Sequence, residues 1–241
     1  MSNQAFEKWA LGYSGCDGGD IGSQNSPSVW VCGIEWGGGH DREDLLGELA
    51  SDMTAPPKGY KDIEENRINI YNRQALKLLS AINGGQVGNF RVFGETVQPF
   101  VQGSSGYFKT NIYPMSFKDT NMARWLSDFS EITGFESKSD YIQWCKQNRF
   151  PQMRSWVSTF RPKLIICFGK TYKADFISAF ADSETNFNIE VIDEREISWG
   201  FNQIGTLVVI LPFMVNSNGL NKNVTIQKVG ERIAELLQGT K

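Results

Sequence analysis

One histidine and four cysteines in 241 residues close off several kinds of chemistry. No two cysteines stand in a C-x-x-C pair, and a single imidazole cannot complete a Cys/His zinc set at the usual close spacing. A hydrolase triad would have to run through His40, and no Gly-x-Ser-x-Gly elbow accompanies it. Long hydrophobic runs are missing too. The longest, Leu164 to Phe168 and Leu207 to Pro212, fall far short of the roughly 20 residues of a membrane helix. The first residues, Met-Ser-Asn-Gln-Ala-Phe-Glu-Lys-Trp, carry neither the basic start nor the apolar stretch of a secretory signal. A cytoplasmic chain without a membrane partner is expected. Cys32 and Cys167 sit inside apolar runs, where a free thiol behaves as a small hydrophobe.

Strong charge of either sign is also lacking. The net charge is −3, which argues against a generic affinity for phosphate backbones. The total conceals an asymmetry. Up to residue 66 acidic side chains outnumber basic ones twelve to four, whereas Tyr141 to Ala174 holds seven cations and no carboxylate. That stretch is either one basic face or a solvated helix side, because a linear bias need not map to a patch.

What is present is an alternation of short β-branched runs with long helical ones. Val29 to Ile34, Tyr107 to Tyr113, Lys163 to Phe168 and Thr206 to Leu211 read as buried strands. Glu64 to Ile82 places Ile68, Tyr71, Ala75, Leu78, Leu79 and Ile82 on one helical stripe, closed by Asn83-Gly84-Gly85. Tyr141 to Phe160, broken around Pro151, Lys170 to Phe180 and Val224 to Leu237 read as further helices. Glu190 to Ile204 carries two alternating pieces, an added strand or a hairpin. The pattern predicts an α/β protein: three α/β/α layers around a mainly parallel four-stranded sheet. Residues 1–28, rich in Gly and Ser after a short helix, are expected as an N-terminal arm, and 29–241 as a single domain.

In an open parallel sheet, ligands bind beyond the carboxyl ends of the strands. The four loops at those ends begin at Gly33, Asn111, Gly169 and Pro212 and are expected to meet at one crevice. Glu35 is the one carboxylate at a strand end, a general base or water orienter if it faces the crevice and a loop cap if it does not. His40, in the polar run His40-Asp41-Arg42-Glu43-Asp44, reads mainly as surface. Phe168-Gly169-Lys170-Thr171 looks like the end of a phosphate loop, but the glycine that pattern requires five residues before Gly169 is Leu164. Gly33-Ile34-Glu35-Trp36-Gly37 likewise has the wrong spacing for a dinucleotide fingerprint.

Taken together, the strand-end motifs resemble the uracil-DNA glycosylase superfamily, most closely its mismatch-specific uracil/thymine branch. Gly33-Ile34-Glu35-Trp36-Gly37 is similar to that branch's Gly-Ile-Asn-Pro-Gly, and Asn216-Ser217-Asn218-Gly219-Leu220-Asn221 to its Asn-Pro-Ser-Gly-Leu-Ser. Asn111 matches the superfamily's second-strand Asn, and Arg161-Pro162-Lys163 its Lys-Pro-Lys stretch. The resemblance implies a cofactor-free hydrolase, without a metal, acting on a damaged or mismatched pyrimidine in DNA. It assigns Glu35 to the carboxylate that stabilises an oxocarbenium-like sugar and orients water, and Asn216 to the support of the leaving base. Gly33, Ile34, Trp36, Gly37, Asn111 and Phe213 would receive the flipped base. Leu220 would wedge into the stack, with Ser217, Asn218, Gly219, Lys222 and Lys170 on DNA. The departures from the motifs, Glu35 and Trp36 above all, leave a second expectation open: a glycosylase-like fold without base excision, which binds a protein or a small nucleotide. A free nucleoside as substrate is the third.

Overall fold

The computed structural model describes residues 3–35, 37–118 and 121–239. In chain order the elements are α1 (Gln4–Leu11), β1 (Gly18–Gly19), β2 (Val29–Gly33), α2 (Arg42–Ala50), α3 (Ile63–Ile68), α4 (Ile70–Ile82), α5 (Phe90–Val97), β3 (Tyr107–Asn111), α6 (Ser127–Thr133), α7 (Lys138–Trp144), α8 (Phe150–Phe160), β4 (Leu164–Phe168), α9 (Lys173–Phe180), β5 (Asn188–Ile192), β6 (Arg195–Phe201), β7 (Leu207–Leu211) and α10 (Asn223–Gln238). No described helix is long and apolar enough to cross a membrane.

The α/β class is as expected, but the sheet is larger and more mixed than the sequence predicts. Among the described residues it has seven strands in the order β1-β3-β2-β4-β7-β6-β5. The four expected strands lie side by side and parallel in its middle. The two-residue β1 runs antiparallel to β3 at one edge, and the β5–β6 hairpin extends the other, antiparallel to β7. The hairpin falls on the two alternating pieces read between Glu190 and Ile204, whereas the two-residue β1 left no strand signal.

Side chains alternate across the sheet into two cores. Trp30, Cys32, Phe108, Ile165, Cys167, Val208 and Ile210 meet α1, α2 and α6 to α9. Val29, Val31, Leu164, Ile166, Leu207 and Val209 meet α4 and α10 on the opposite face. Burial on both faces explains why β2, β4 and β7 read as continuous apolar runs rather than alternating ones. All four cysteines are free and buried.

Two departures have local causes. The expected helix Glu64–Ile82 is broken at Asn69, whose extended backbone (φ −77°, ψ 131°) caps α4 through a side chain that accepts from the Tyr71 N–H. Ile68 thereby leaves the stripe and is 77% exposed. The segment expected as an N-terminal arm is woven into the domain: Phe6, Trp9 and Ala10 are buried in the first core, and β1 pairs with β3. The fully buried Arg149 guanidinium stitches it down, donating to the carbonyls of Ala10, Ser14 (2.6 Å) and Ile112 (2.9 Å) and to Ser14 Oγ.

Candidate functional site

The order of the parallel strands reverses at β2. The chain passes from β2 to β3 on one side and later to β4 on the other, so the loops after β2 and β4 part and leave a crevice between them. A cleft of about 860 Å³ lies there. Gly33, Ile34, Glu35, Gly37, Asn111, Phe213 and Asn216 line it together, with Gly169 and Thr171 from the loop after β4. Trp36, expected on the base, lies outside the described residues.

Asn111 ends β3 and is buried. Its Nδ2 donates to the Gly15 carbonyl at 3.0 Å, and its own N–H donates to the same oxygen. A carbonyl only accepts, so this bond fixes the amide's orientation. Oδ1 is then turned over Gly33, where a side-chain carbon would come within 2.3 Å of it. One of the two Nδ2 hydrogens is thus engaged by the protein, which leaves Oδ1 and the second hydrogen for the two-sided reading of a base edge expected of Asn111.

Glu35 is not an isolated carboxylate. Its side chain is 7% exposed, and Oε1 lies 3.5 Å from Nζ of Lys138, which is 1% exposed. That ammonium also sits 3.7 Å from the centre of the Phe117 ring. A buried pair backed by an aromatic face holds the carboxylate in one place. Lys138 caught no attention in the sequence because its partner is 103 residues away.

His40 lines the cleft, contrary to its surface reading. Its Nδ1 accepts from the Ser116 N–H at 3.1 Å, and the backbone N–H of His40 donates to the Ser116 carbonyl. Burial pushes the imidazole below its ordinary value, against the opposing pull of Asp44 and Asp41. With Nδ1 accepting, the ring proton sits on Nε2. Ser116 Oγ accepts from the Gly39 N–H and donates to the Gly37 carbonyl (3.2 Å), so the glycine turn is pinned to the loop after β3. Gly38 and Gly39 have φ of 108° and 85°, a region that excludes most side chains.

Other groups entered the cleft unannounced. Asp17 accepts from Nζ of Lys109 (2.9 Å) and from the Tyr60 hydroxyl (2.7 Å). Tyr71, at the start of α4, lies beside Phe213 with ring centres 6.0 Å apart. Asp44 and Glu48, one turn apart on α2, complete the wall; burial first, then Asp44, pushes the Glu48 carboxyl up. The glycines of Gly15-Cys16-Asp17-Gly18-Gly19, three of them at positive φ, are the signal that a tight, built loop presents Asp17.

The expected DNA contacts divide. Ser217, Asn218, Lys222 and Lys170 are exposed. Leu220 is not: it is 0% exposed, packs in the second core and donates its N–H to the Phe213 carbonyl. Its wedge role is corrected here, since a side chain that completes a core is not at hand to fill a gap in a base stack. Gly219 is buried with it, because a side chain there would collide with the Phe213 carbonyl. The basic stretch around β4 also divides: Arg161, Lys163 and Lys170 are exposed, and the other four cations are engaged. Lys146 pairs with Asp175 (2.8 Å), Arg149 is internal, Arg154 donates to the Ser178 carbonyl and Lys173 to Ser198 Oγ. Among the described residues no group of three His, Cys, Asp or Glu side chains is placed to hold a metal.

No protein-family model matches the chain, and no curated protein matches it in sequence.

Proposed function

We propose that the cleft receives a nucleobase and that the protein hydrolyses an N-glycosidic bond, with a damaged or mismatched pyrimidine nucleotide of DNA as the substrate that the motif resemblance favours. One observation carries this reading: Glu35, Asn111, Phe213 and Asn216, up to 181 residues apart in the chain, line a single cleft at the switch point of the sheet. The base would lie against the Phe213 and Tyr71 rings, with a ring N–H donating to Asn111 Oδ1. Glu35, held by Lys138, would sit beside the sugar as it gains cationic character and would orient the attacking water. Duplexes carrying uracil, 5-substituted uracils or deaminated purines, followed by alkaline cleavage, test this. Strand scission with one of them that falls about 10²-fold in Glu35→Gln is the expected result, and no abasic sites with any of them overturns it.

A second reading has its own support. The cleft wall carries Asp44 and Glu48, and Leu220 is buried. Both features suit a free nucleoside better than a phosphate-rich duplex. Base release from free deoxynucleosides, with duplex left intact, would select it.

A further inference from the structure

Lys109, Tyr71 and Asp17 line the wall of the cleft beside Asn111, and of the three only the Tyr71 ring has a part in the steps above. Lys109 and Asn111 are two residues apart on β3, so their side chains leave the same face of the sheet. The ammonium is buried, 6% exposed, and it is built in from afar: its partners Asp17 and Tyr60 are 92 and 49 residues away.

Counting donors and acceptors exposes a surplus. Lys109 has three N–H groups. One goes to Asp17 Oδ1 and one to the Tyr60 hydroxyl at 3.0 Å, and the third meets no acceptor among the described residues. Tyr60 has no spare capacity, since it donates to Asp17 and accepts from Lys109 and from Asn72 Nδ2 (3.0 Å). The Tyr71 hydroxyl is buried and has no hydrogen-bond partner among the described residues. Its ring lies 5.3 Å from Nζ of Lys109. A side-chain carbon at Gly33 would be 2.3 Å from Asn111 Oδ1 and 3.6 Å from the Tyr71 oxygen, so an acceptor and an unused donor meet over the one residue that has no side chain.

We infer that Lys109 and Tyr71 are ligand-contacting residues, which donate to a carbonyl oxygen of the bound base while Asn111 Oδ1 accepts from the adjacent ring N–H. The inference rests on the base-binding reading of the cleft. It adds donors to a recognition pattern in which Asn111 has committed one of its two Nδ2 hydrogens to Gly15. Both groups stay donors at neutral pH. Burial pushes the Tyr71 phenol well above its ordinary value. For Lys109 burial favours the free amine, but Asp17 and Tyr60 more than offset it, and the net effect is upward. A lysine held charged in this way is a poor nucleophile and a good donor.

The full chain is titrated with uracil, 2-thiouracil and 4-thiouracil by ligand-observed NMR, in the wild type and in Tyr71→Phe and Lys109→Met. Sulfur is the weaker acceptor, so the wild type loses affinity on one of the two thio replacements. Tyr71→Phe binds uracil about tenfold more weakly, the worth of one well-placed hydrogen bond, and no longer distinguishes that thio base. Lys109→Met leaves Asp17 without its cation and tests folding as well as binding. Tyr71→Phe removes a hydroxyl that bonds to nothing in the free protein, so its melting temperature stays level or rises. The inference falls if Tyr71→Phe binds uracil like the wild type, if the thio effect persists in both variants, or if Tyr71→Phe melts lower. A wild type that binds none of the three probes sinks the base-binding reading together with it.

Discussion

Truncating Leu220 to alanine opens a void in the core between the sheet and α10, and the expected loss is about 2–5 kcal/mol of stability, read in a denaturant titration. A Leu220 that acted on DNA would show the opposite pattern, unchanged stability with impaired duplex activity. Gly33→Ala tests the floor of the cleft. The added methyl meets Asn111 Oδ1 at 2.3 Å, so the amide must turn from its place or the Gly15 bond must stretch. Ligand affinity is expected to fall at least about tenfold, the scale of one lost hydrogen bond, while the protein still folds. His40 makes the pH dependence of stability legible. Burial holds the folded imidazole below 6.5, its value when exposed, so the unfolded chain binds more protons through that interval. Its contribution is full above pH 6.5 and is lost as the pH falls through the depressed value. Melting temperatures measured between pH 7.5 and 5 should therefore drop less steeply in His40→Gln than in the wild type.

At the scale of elements, α4 and α10 approach closely enough that a side chain at Gly230 would place its carbon 2.4 Å from Ala81 Cβ. Alanine favours a helix over glycine by about 1 kcal/mol, yet Gly230→Ala is expected to destabilise by roughly 1–3 kcal/mol, because overpacking there forces the two helices apart. A chevron or equilibrium melt decides the sign. The sequence showed these helices well where the apolar period was long, as in Ile70–Ile82 and Asn223–Gln238. It misjudged the join before α4, since Asn69 reads as an ordinary mid-helix polar residue until its side chain is seen capping the Tyr71 N–H. α1 was legible as a short helix and β1 only as part of a Gly-rich arm, with nothing to show that either joins the domain. What orders them is Arg149, and no local pattern announces a guanidinium that takes its acceptors from carbonyls more than a hundred residues away.

The whole molecule decides how much of the cleft was readable. Glu35 and the loops that hold Asn111, Phe213 and Asn216 could be named because the chain order of an α/β sheet puts strand ends together, and the motif resemblance singled out those three residues within their loops. Asp17, Lys138, Tyr71 and His40 could not, because each owes its position to a contact across the fold rather than to its neighbours. Charge behaves similarly. Of the cations around α8 and β4, Lys146, Arg149, Arg154 and Lys173 turn inward or pair while Arg161, Lys163 and Lys170 stay exposed, and carboxylates stand on the cleft wall. If duplex DNA is the substrate, this wall repels it, so Asp44→Lys together with Glu48→Lys should tighten duplex binding. The dependence of log K on log salt should then steepen by up to about 0.9 for each phosphate newly neutralised. If a free nucleoside is the substrate, the same pair of substitutions leaves its affinity level.

The stitching of residues 10–14 by Arg149 also bears on the order of events in folding. Asn111 takes its orientation from Gly15, and Gly15 lies next to the segment that Arg149 clamps across 135 to 139 residues of chain. Closing a loop of that length costs chain entropy that only the assembled sheet and α8 can offset. A chain that ends before residue 149 lacks the clamp, so the contacts between Gly15 and Asn111 are expected to gain hydrogen-exchange protection only once α8 is present. The geometry of the cleft floor and the completion of the fold thus share one set of contacts, since Asn111 is held through a segment that Arg149 secures.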